Sequence, residues 1–522
     1  MTRRLPARRT GRGAPRRILA AILAVAGVAG LSACAPDTDP SWKPAEWPIV
    51  GRMLTQPPPA VDASGIALAS QRIRNDAVRI EARWAYLPGS QPLNDAVEAT
   101  VRAAIGAQSA AVGVAYEPQA FGVEAALRER GCVPGVTALP AGELLGASPD
   151  SHTVVVCEIV HAAGNTLGQR LRVVRGSVST VEADQITTLY TDVATGQVGD
   201  GASMIAQPDL LWTDVVSVAR RAAGGLSLIA VSPPSDEQRA ALALALQDAS
   251  FVGGELVVPL PVGFTAPELE GLAGWQTPDP DSPVWVSLPR ASYDSALTDF
   301  GRDIADAQGP FTGPTSGGAA YDRTPCDLVP CMALTLDDGP SGLTDGILDA
   351  LRDRHAAATF FMLGRNAQNR PDTVRRVSAE GHQIGNHTWN HPDLTTLSDE
   401  RIAAELRSTA DLLRSLSGQS VSTFRPPYGA LNDRVLGVAG MPAILWSVDT
   451  RDWAGRSDDD LLAYSVGAPR VGTIMLMHDI QAGTARVMPQ VLDGLLDRGF
   501  SLVTISHLFG GQVPGGIVRY AP

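Results

Sequence analysis

From about residue 326 onward, short apolar runs alternate with amphipathic stretches, and this alternation constrains the fold more than any other feature of the chain. Residues 333–336, 358–362, 444–448, 473–477 and 500–504 are predicted strands, and residues 398–416 and 485–496 are predicted helices between them. Strand–helix repeats bury both faces of a parallel sheet, so the class is α/β, either a barrel or an open sheet. In such folds chemistry collects just beyond the C-terminal ends of the strands.

A chain of 522 residues exceeds one ordinary core, so two domains with linkers are expected. A second, mixed α/β region precedes the repeats. Val78, Ile80, Ala82, Trp84 and Tyr86 alternate as in a half-buried strand, whereas Leu93, Val97, Val101 and Ile105 follow a helical stripe. Residues 154–156 and 226–231 are further predicted strands, and 209–219 a helix. No catalytic constellation is legible there; His152 and His161 stand alone and are expected to be structural. The expected divisions are a leader over 1–33, a Pro-rich tether over 34–68, an accessory domain over 69–305, a linker over 306–325 and the repeat domain over 326–522.

The leader carries Arg3, Arg4, Arg8, Arg9, Arg12, Arg16 and Arg17, then an apolar stretch, then Leu31-Ser32-Ala33-Cys34. That is a secretory signal. One reading is cleavage at a small residue with Cys34 incidental; the other is a bacterial lipobox, with Cys34 lipidated as the mature N-terminus. The second implies export and a lipid anchor on the outer face of the cytoplasmic membrane, facing the wall. Formal net charge is −13, and removing those seven arginines gives −13 − 7 = −20. So acidic a chain is a poor nucleic-acid binder. Four cysteines remain, an even number that suits an exported protein with disulfides, Cys326 with Cys331 and Cys132 with Cys157. Free thiols are the alternative. Zinc on Cys326 and Cys331 is disfavoured, because no second ligand pair lies nearby.

Reactive residue types fall at the predicted strand ends. Asp337-Asp338-Gly339-Pro340 follows the first strand. Two adjacent carboxylates repel unless a cation or Arg lies between them. His387 and His391 are four apart, and on one helical turn both imidazoles could share a metal with a nearby Asp. Arg425-Pro426-Pro427-Tyr428, Asp449-Thr450-Arg451-Asp452-Trp453 and Leu476-Met477-His478-Asp479 follow, each weak alone.

Taken in order, these five segments resemble the NodB-homology polysaccharide deacetylases, carbohydrate esterase family four. The resemblance covers about residues 331–508. It implies a distorted (β/α) barrel and a divalent metal on Asp338, His387 and His391, zinc before cobalt or manganese. It further implies Asp337 as general base with Arg425 keeping it ionised, and His478 as general acid held cationic by Asp452. Tyr428 would lend a backbone N–H to the oxyanion, and Trp453 with Leu476 would wall the acetyl pocket. Leu336 replaces the family's usual Phe and should alter packing alone. Thr388 matches a loop-supporting hydroxyl. Asp449 and Asp479 carry no catalytic role over, and His355, His382 and His507 are expected to be structural.

The accessory region is similar to the extracellular domain of lysozyme-sensing anti-sigma factors, through Tyr86-Leu87-Pro88 before Leu93-Asn94 and through Leu189-Tyr190-Thr191-Asp192 with Thr195-Gly196. This implies a binding or positioning role towards a wall component or a lysozyme-like ligand. The leading functional expectation is N-deacetylation of peptidoglycan N-acetylglucosamine or N-acetylmuramic acid. The alternatives are an O-acetyl esterase on a wall or plant polysaccharide, and a binding lipoprotein dominated by its first domain.

Overall fold

In the computed structural model the described residues are 51–58, 61–225, 230–279, 283–313 and 324–522. The leader, Cys34, the tether as far as residue 50, residues 314–323 of the linker and residues 226–229 of one predicted strand lie outside them.

The first region holds two sheets. Strands β2 (Ala69–Asn75), β3 (Ile80–Tyr86), β4 (His152–Ala163), β5 (Thr166–Ser177), β6 (Thr180–Asp192) and β7 (Gln197–Asp200) lie side by side in that order. Every neighbouring pair is antiparallel except β3 with β4. Helix Gln91–Val112 presents Leu93, Val97, Val101 and Ile105 to this sheet, as the stripe predicted. The second sheet has the order β1 (Arg52–Leu54), β10 (Trp285–Leu288), β9 (Glu255–Pro259), β8 (Ser250–Val252), all antiparallel, with helix Asp209–Ala222 packed against it. Here the tether expectation needs correcting, because β1 lies inside 34–68. It occupies the open edge of β10, whose backbone groups would otherwise lack partners.

Two of the sequence patterns singled out above turn out to be locks. Asn94 closes a reciprocal pair with Leu87, its Oδ1 accepting from Leu87 N–H at 2.8 Å and its Nδ2 donating to Leu87 O at 2.9 Å. Tyr190 is wholly buried and donates its hydroxyl to Ala249 O at 3.0 Å, joining the two sheets.

The second region is a ring of parallel strands. β11 (Cys331–Asp337) lies between β12 (Ala358–Met362) and β16 (Ile474–His478); β13 (Gln383–Asn386) follows β12, and β15 (Val448–Asp449) follows β16. β17 (Ser501–Leu502) pairs with the start of β11. Parallel bridges from Asn386 to Phe424 and from Phe424 to Ala443 carry the ring onward to β14 (Ala443–Ile444), which also pairs with β18 (Ile517–Val518). The single strand expected at 444–448 is therefore two short pieces, β14 and β15. The cause is Arg425, whose guanidinium takes the carbonyl oxygens of Ile444 (2.9 Å) and Leu445 (3.1 Å) out of any ladder. The result is a distorted barrel, with helices Thr344–Arg352, Asp399–Ser417 and Ala482–Asp497 among those outside. Leu336 is fully buried in the core between strands and helices.

The two regions share apolar packing. Leu93, Val97 and Trp84 join one cluster with Leu328, Val329, Cys331 and Ile505. Arg130 reaches across to donate to Ser501 Oγ (3.0 Å) and Phe500 O (2.6 Å), and Tyr116 donates to Leu328 O at 2.6 Å. Disulfides join Cys132 to Cys157 and Cys326 to Cys331, the pairs expected from counting. Among the described residues no helix is long and apolar enough to cross a membrane.

Candidate active site and metal centre

Parallel register sets the site's first dimension. Asp337, the last residue of β11, pairs in register with His478 at the end of β16 and with Phe361 on β12. Neighbouring strands lie about 4.8 Å apart, so the two side chains stand side by side at the mouth of the ring. Thr335 and Leu476 lie one pleat below on the same inward face, which makes Leu476 a wall of the same cavity.

Asp337 is 3% exposed and Arg425 fully buried. Arg425 Nη1 donates to Asp337 Oδ1 and to Thr335 Oγ1, both at 2.7 Å, and its guanidinium lies 4.3 Å from the Phe361 ring centre. Burial lowers the Arg425 pKa while Asp337 raises it, and a guanidinium stays charged throughout. An isolated buried charge would cost several kcal/mol; this pair is tolerated because four acceptors and an aromatic face surround the cation. Asp337 Oδ2 is left towards the cavity, 3.7 Å from His387 Nε2.

Asp338, His387 and His391 converge, each offering one donor atom within 4.8 Å of the others. Asp338 Oδ1 lies 3.4 Å from His387 Nε2 and 3.4 Å from His391 Nε2. The helical-turn reading of the two histidines is overturned: residues 387–393 are a loop, with Thr388 (φ 71°) and His391 (φ 66°) in the left-handed region. Thr388 Oγ1 accepts the His391 N–H at 3.0 Å, and Asn386 Oδ1 accepts the Thr388 N–H at 2.9 Å. Glu405, from the helix outside, accepts the N–H groups of Trp389 (2.8 Å) and Asn390 (2.9 Å). Side chains acting on backbone thus hold the strained turns that bring the rings together, 5.0 Å apart.

His387 Nδ1 lies 2.7 Å from Arg425 O. A carbonyl only accepts, so Nδ1 carries the proton and Nε2 offers its lone pair inward. Burial pushes Asp338 upward, yet the neighbouring imidazoles, His387 first and then His391 and His478, hold it below the usual carboxylate range. Asp338 Oδ1 is buried with no hydrogen-bond partner. An orphaned carboxylate oxygen facing two imidazole nitrogens is the donor set of a divalent-cation centre with open positions, so the residues fit a metal.

On the other side, His478 Nδ1 meets Asp452 Oδ1 at 2.8 Å, and Asp452 Oδ2 also accepts the His478 N–H at 2.8 Å. Burial alone would lower the His478 pKa; the Asp452 hydrogen bond and charge, with Asp337 and Asp338 behind them, overcome it and raise it to about 9. Tyr428 (φ 61°) packs edge-on to His391 at 4.6 Å, and Tyr428 and Trp453 are the two large aromatic side chains exposed at the rim.

One contributor escaped the sequence reading, and a second was given no role there. Thr484, in the first turn of helix Ala482–Asp497, donates to Asp452 Oδ2 at 2.6 Å; a Thr six residues past His478 carries no signal until the helix start is known. Asp479 is fully buried, accepts from Thr344 Oγ1, and presses its carboxylate on Gly339, where a Cβ would lie 2.1 Å from Oδ2. Burial raises its pKa to about 7. It braces the Asp337–Gly339 turn and is distinct from the reacting groups. His161 and His382 are buried and lowered to about 4 by burial, as structural histidines should be.

A family model described as polysaccharide deacetylase matches residues 326–441. The chain is 40% identical over 186 residues to a peptidoglycan-N-acetylglucosamine deacetylase, PgdA, of Listeria monocytogenes, covering 35% of this chain and 40% of that protein. It is 38% identical over 178 residues to a peptidoglycan-N-acetylmuramic acid deacetylase, PdaC, of Bacillus subtilis, covering 34% and 38%. It is 37% identical over 187 residues to a chitooligosaccharide deacetylase of Rhizobium leguminosarum bv. trifolii, covering 32% of this chain and 87% of that protein. The match thus spans about two fifths of the first two relatives and most of the third.

Proposed function

The chain belongs to the polysaccharide deacetylase family, and from that premise we propose that residues 326–522 hydrolyse N-acetyl groups on peptidoglycan. One observation carries the reading: a cation donor set, Asp338, His387 and His391, lies at the same strand ends as a carboxylate held by Arg425 and an imidazole held by Asp452. A divalent cation bound by the three, zinc in our proposal, supplies Lewis acidity.

The chain's own groups divide the remaining work. Asp337 Oδ2 takes a proton from water as the water oxygen bonds to the acetyl carbonyl carbon. Arg425 fixes Oδ1, so the accepting oxygen keeps its aim. The backbone N–H of Tyr428 donates to the developing oxyanion, an interaction worth on the order of 3 kcal/mol at comparable sites. His478, charged below about pH 9, gives its Nε2 proton to the leaving nitrogen as the C–N bond breaks, leaving acetate and a free amine. Leu476 and Trp453 border the space for the acetyl methyl.

The relatives' printed names support the wall as substrate, whether its N-acetylglucosamine or its N-acetylmuramic acid. An exported chain held by lipid on Cys34 fits that substrate, with residues 69–305 positioning the barrel or gripping a wall or lysozyme-like ligand. Mass spectrometry of acetyl loss from purified peptidoglycan and chitin oligomers, with and without chelator, tests the reading. Loss of about 42 Da per sugar, abolished by chelator, is expected. Persistence in chelator or absence from both substrates overturns it.

A further inference from the structure

Residues 113–135 of the first region follow helix Gln91–Val112 and hold one three-residue 3-10 turn, Val123–Ala125. Stretches longer than about 15 residues with so little regular structure are uncommon in compact domains and usually carry a function. This strap is tied down on two sides. Towards its own sheet, Asn75 Nδ2 donates to Glu117 O at 2.6 Å and Gly131 N–H to Gln71 O at 3.1 Å. The Arg74 guanidinium lies 4.9 Å from the Phe121 ring centre, and Cys132 is bonded to Cys157 on β4.

Towards the barrel the strap meets the C-terminal end of helix Ala482–Asp497. The last carbonyl groups of a helix find no partner inside it. Here Leu127 N–H donates to Asp497 O and Phe121 N–H to Arg498 O, both at 2.9 Å, and Arg498 Nε returns a bond to Phe121 O at 2.6 Å. Ala120 packs against the barrel's own outer core. Arg130 gives its two terminal nitrogens to Ser501 and Phe500, and Tyr116 its hydroxyl to Leu328. Arg102, on the helix before the strap, holds Asp327 through two bonds of 2.9 and 3.0 Å.

Arg130 is informative for what it lacks. No carboxylate faces it, its Nε is buried without a partner, and burial with the neighbouring Arg72 lowers its pKa to about 10. A cation desolvated without a counter-ion costs stability. The bonds to Ser501 and Phe500 offset that cost only while the two regions stay together.

These barrel partners stand where strands begin. Residues 327 and 328 precede β11, and 497–501 lead into β17, which pairs with the first residues of β11. The catalytic groups stand at the other end. Along β11, Cys331 and Asp337 are about 20 Å apart, given the rise of an extended strand. The shared apolar cluster fills the space between, from Leu93, Val97 and Val101 through Leu328 and Ala333 to Phe361, whose ring packs on the Arg425 guanidinium.

We propose that the first region is the foundation of the catalytic barrel: the strap Tyr116–Arg130 seats it across the strand-start end, the two regions fold as one cooperative unit, and the reacting sugar meets the barrel alone. This goes beyond the deacetylase reading and chooses between the two roles left open for residues 69–305.

Native-state hydrogen exchange of the full chain, read by mass spectrometry over a guanidinium series, tests it without turnover. Peptides from 80–86 and 97–105 should lose protection at the same denaturant concentration as those from 331–337 and 474–478. Arg130→Ala leaves Phe500 O and Ser501 Oγ without their donor and should lower protection about ten- to a hundred-fold in both sets alike. Tyr116→Phe, a milder change, should lower both about five-fold. Loss confined to first-region peptides, or different midpoints in the wild type, overturns the inference. Kinetics on short glycan strands add a second arm. With zinc-loaded protein at a temperature where both variants stay folded, KM should equal that of the wild type. A raised KM in Tyr116→Phe with protection unchanged would make the first region a substrate grip and overturn the proposal. Absence of wild-type turnover would sink the deacetylase reading and leave the exchange result to decide this one.

Discussion

Each half of this chain buries a charged cluster, and the two clusters are finished differently. In the first region Arg170 lies among Glu158 and Asp248, all at most 5% exposed. Asp248 Oδ1 accepts from Arg170 Nε and Thr188 Oγ1, both at 2.6 Å, and Glu158 Oε2 accepts the Thr137 N–H. The cluster is closed on itself. In the barrel, Arg425 holds one oxygen of Asp337 while Asp338 Oδ1 keeps no partner and His478 stays raised. Burial of charge is common to both; what marks the second as a site is donor capacity left unspent around an open space.

That contrast can be broken. His387→Ala should remove one of three donors, so bound metal measured by plasma mass spectrometry should drop well below one per chain and turnover should vanish with it; full occupancy would refute the donor set. Asp337→Asn should keep the metal yet lower kcat by about 10²–10⁴, the usual worth of a general base, and near-wild-type kcat would refute that role.

Arg170→Ala should behave in the opposite way. Leaving Asp248 and Glu158 unpaired should cost about 3–5 kcal/mol of stability, read as an earlier denaturation midpoint, while kcat at a temperature where the protein stays folded is unchanged. A kcat loss with no stability loss would erase the distinction between the two clusters.

Smaller effects sharpen it. In metal-free protein, His478 should titrate near pH 9 by NMR, and in Asp452→Asn it should fall towards the ordinary imidazole value of about 6.5. The sign follows from a raised folded-state pKa: the stabilisation is complete below about pH 6.5 and lost as pH rises through about 9. An unmoved titration would show that Asp452 is not its cause. Thr484→Val removes one of the bonds to Asp452 Oδ2 and should cost about 1 kcal/mol, a five-fold fall in kcat/KM with the metal unaffected.

Much of this was legible in one dimension. The strand at 358–362 matches β12, the stripe from Leu93 to Ile105 faces the sheet, and the two disulfides follow the expected pairs. Periodicity and cysteine counting are local or combinatorial signals, and they survive without coordinates. Asp337, Asp338, His387, His391, Arg425, Asp452 and His478 could be singled out because five segments in order resemble the motifs of the NodB-homology deacetylases.

The tertiary structure decided how those residues are held. A spacing of four suggested a helical turn for the histidines, yet a loop with two left-handed residues delivers them, because Thr388, Asn386 and Glu405 satisfy its backbone. One predicted strand became two because a side chain from another loop, Arg425, claimed its carbonyls. Sequence alone thus determined which chemistry the chain carries and the class of scaffold that carries it. Which backbone groups are left for side chains to satisfy, and which carboxylate oxygen is left with none, depends on contacts between residues far apart in the chain. No periodicity encodes those contacts, so only the folded structure settles them.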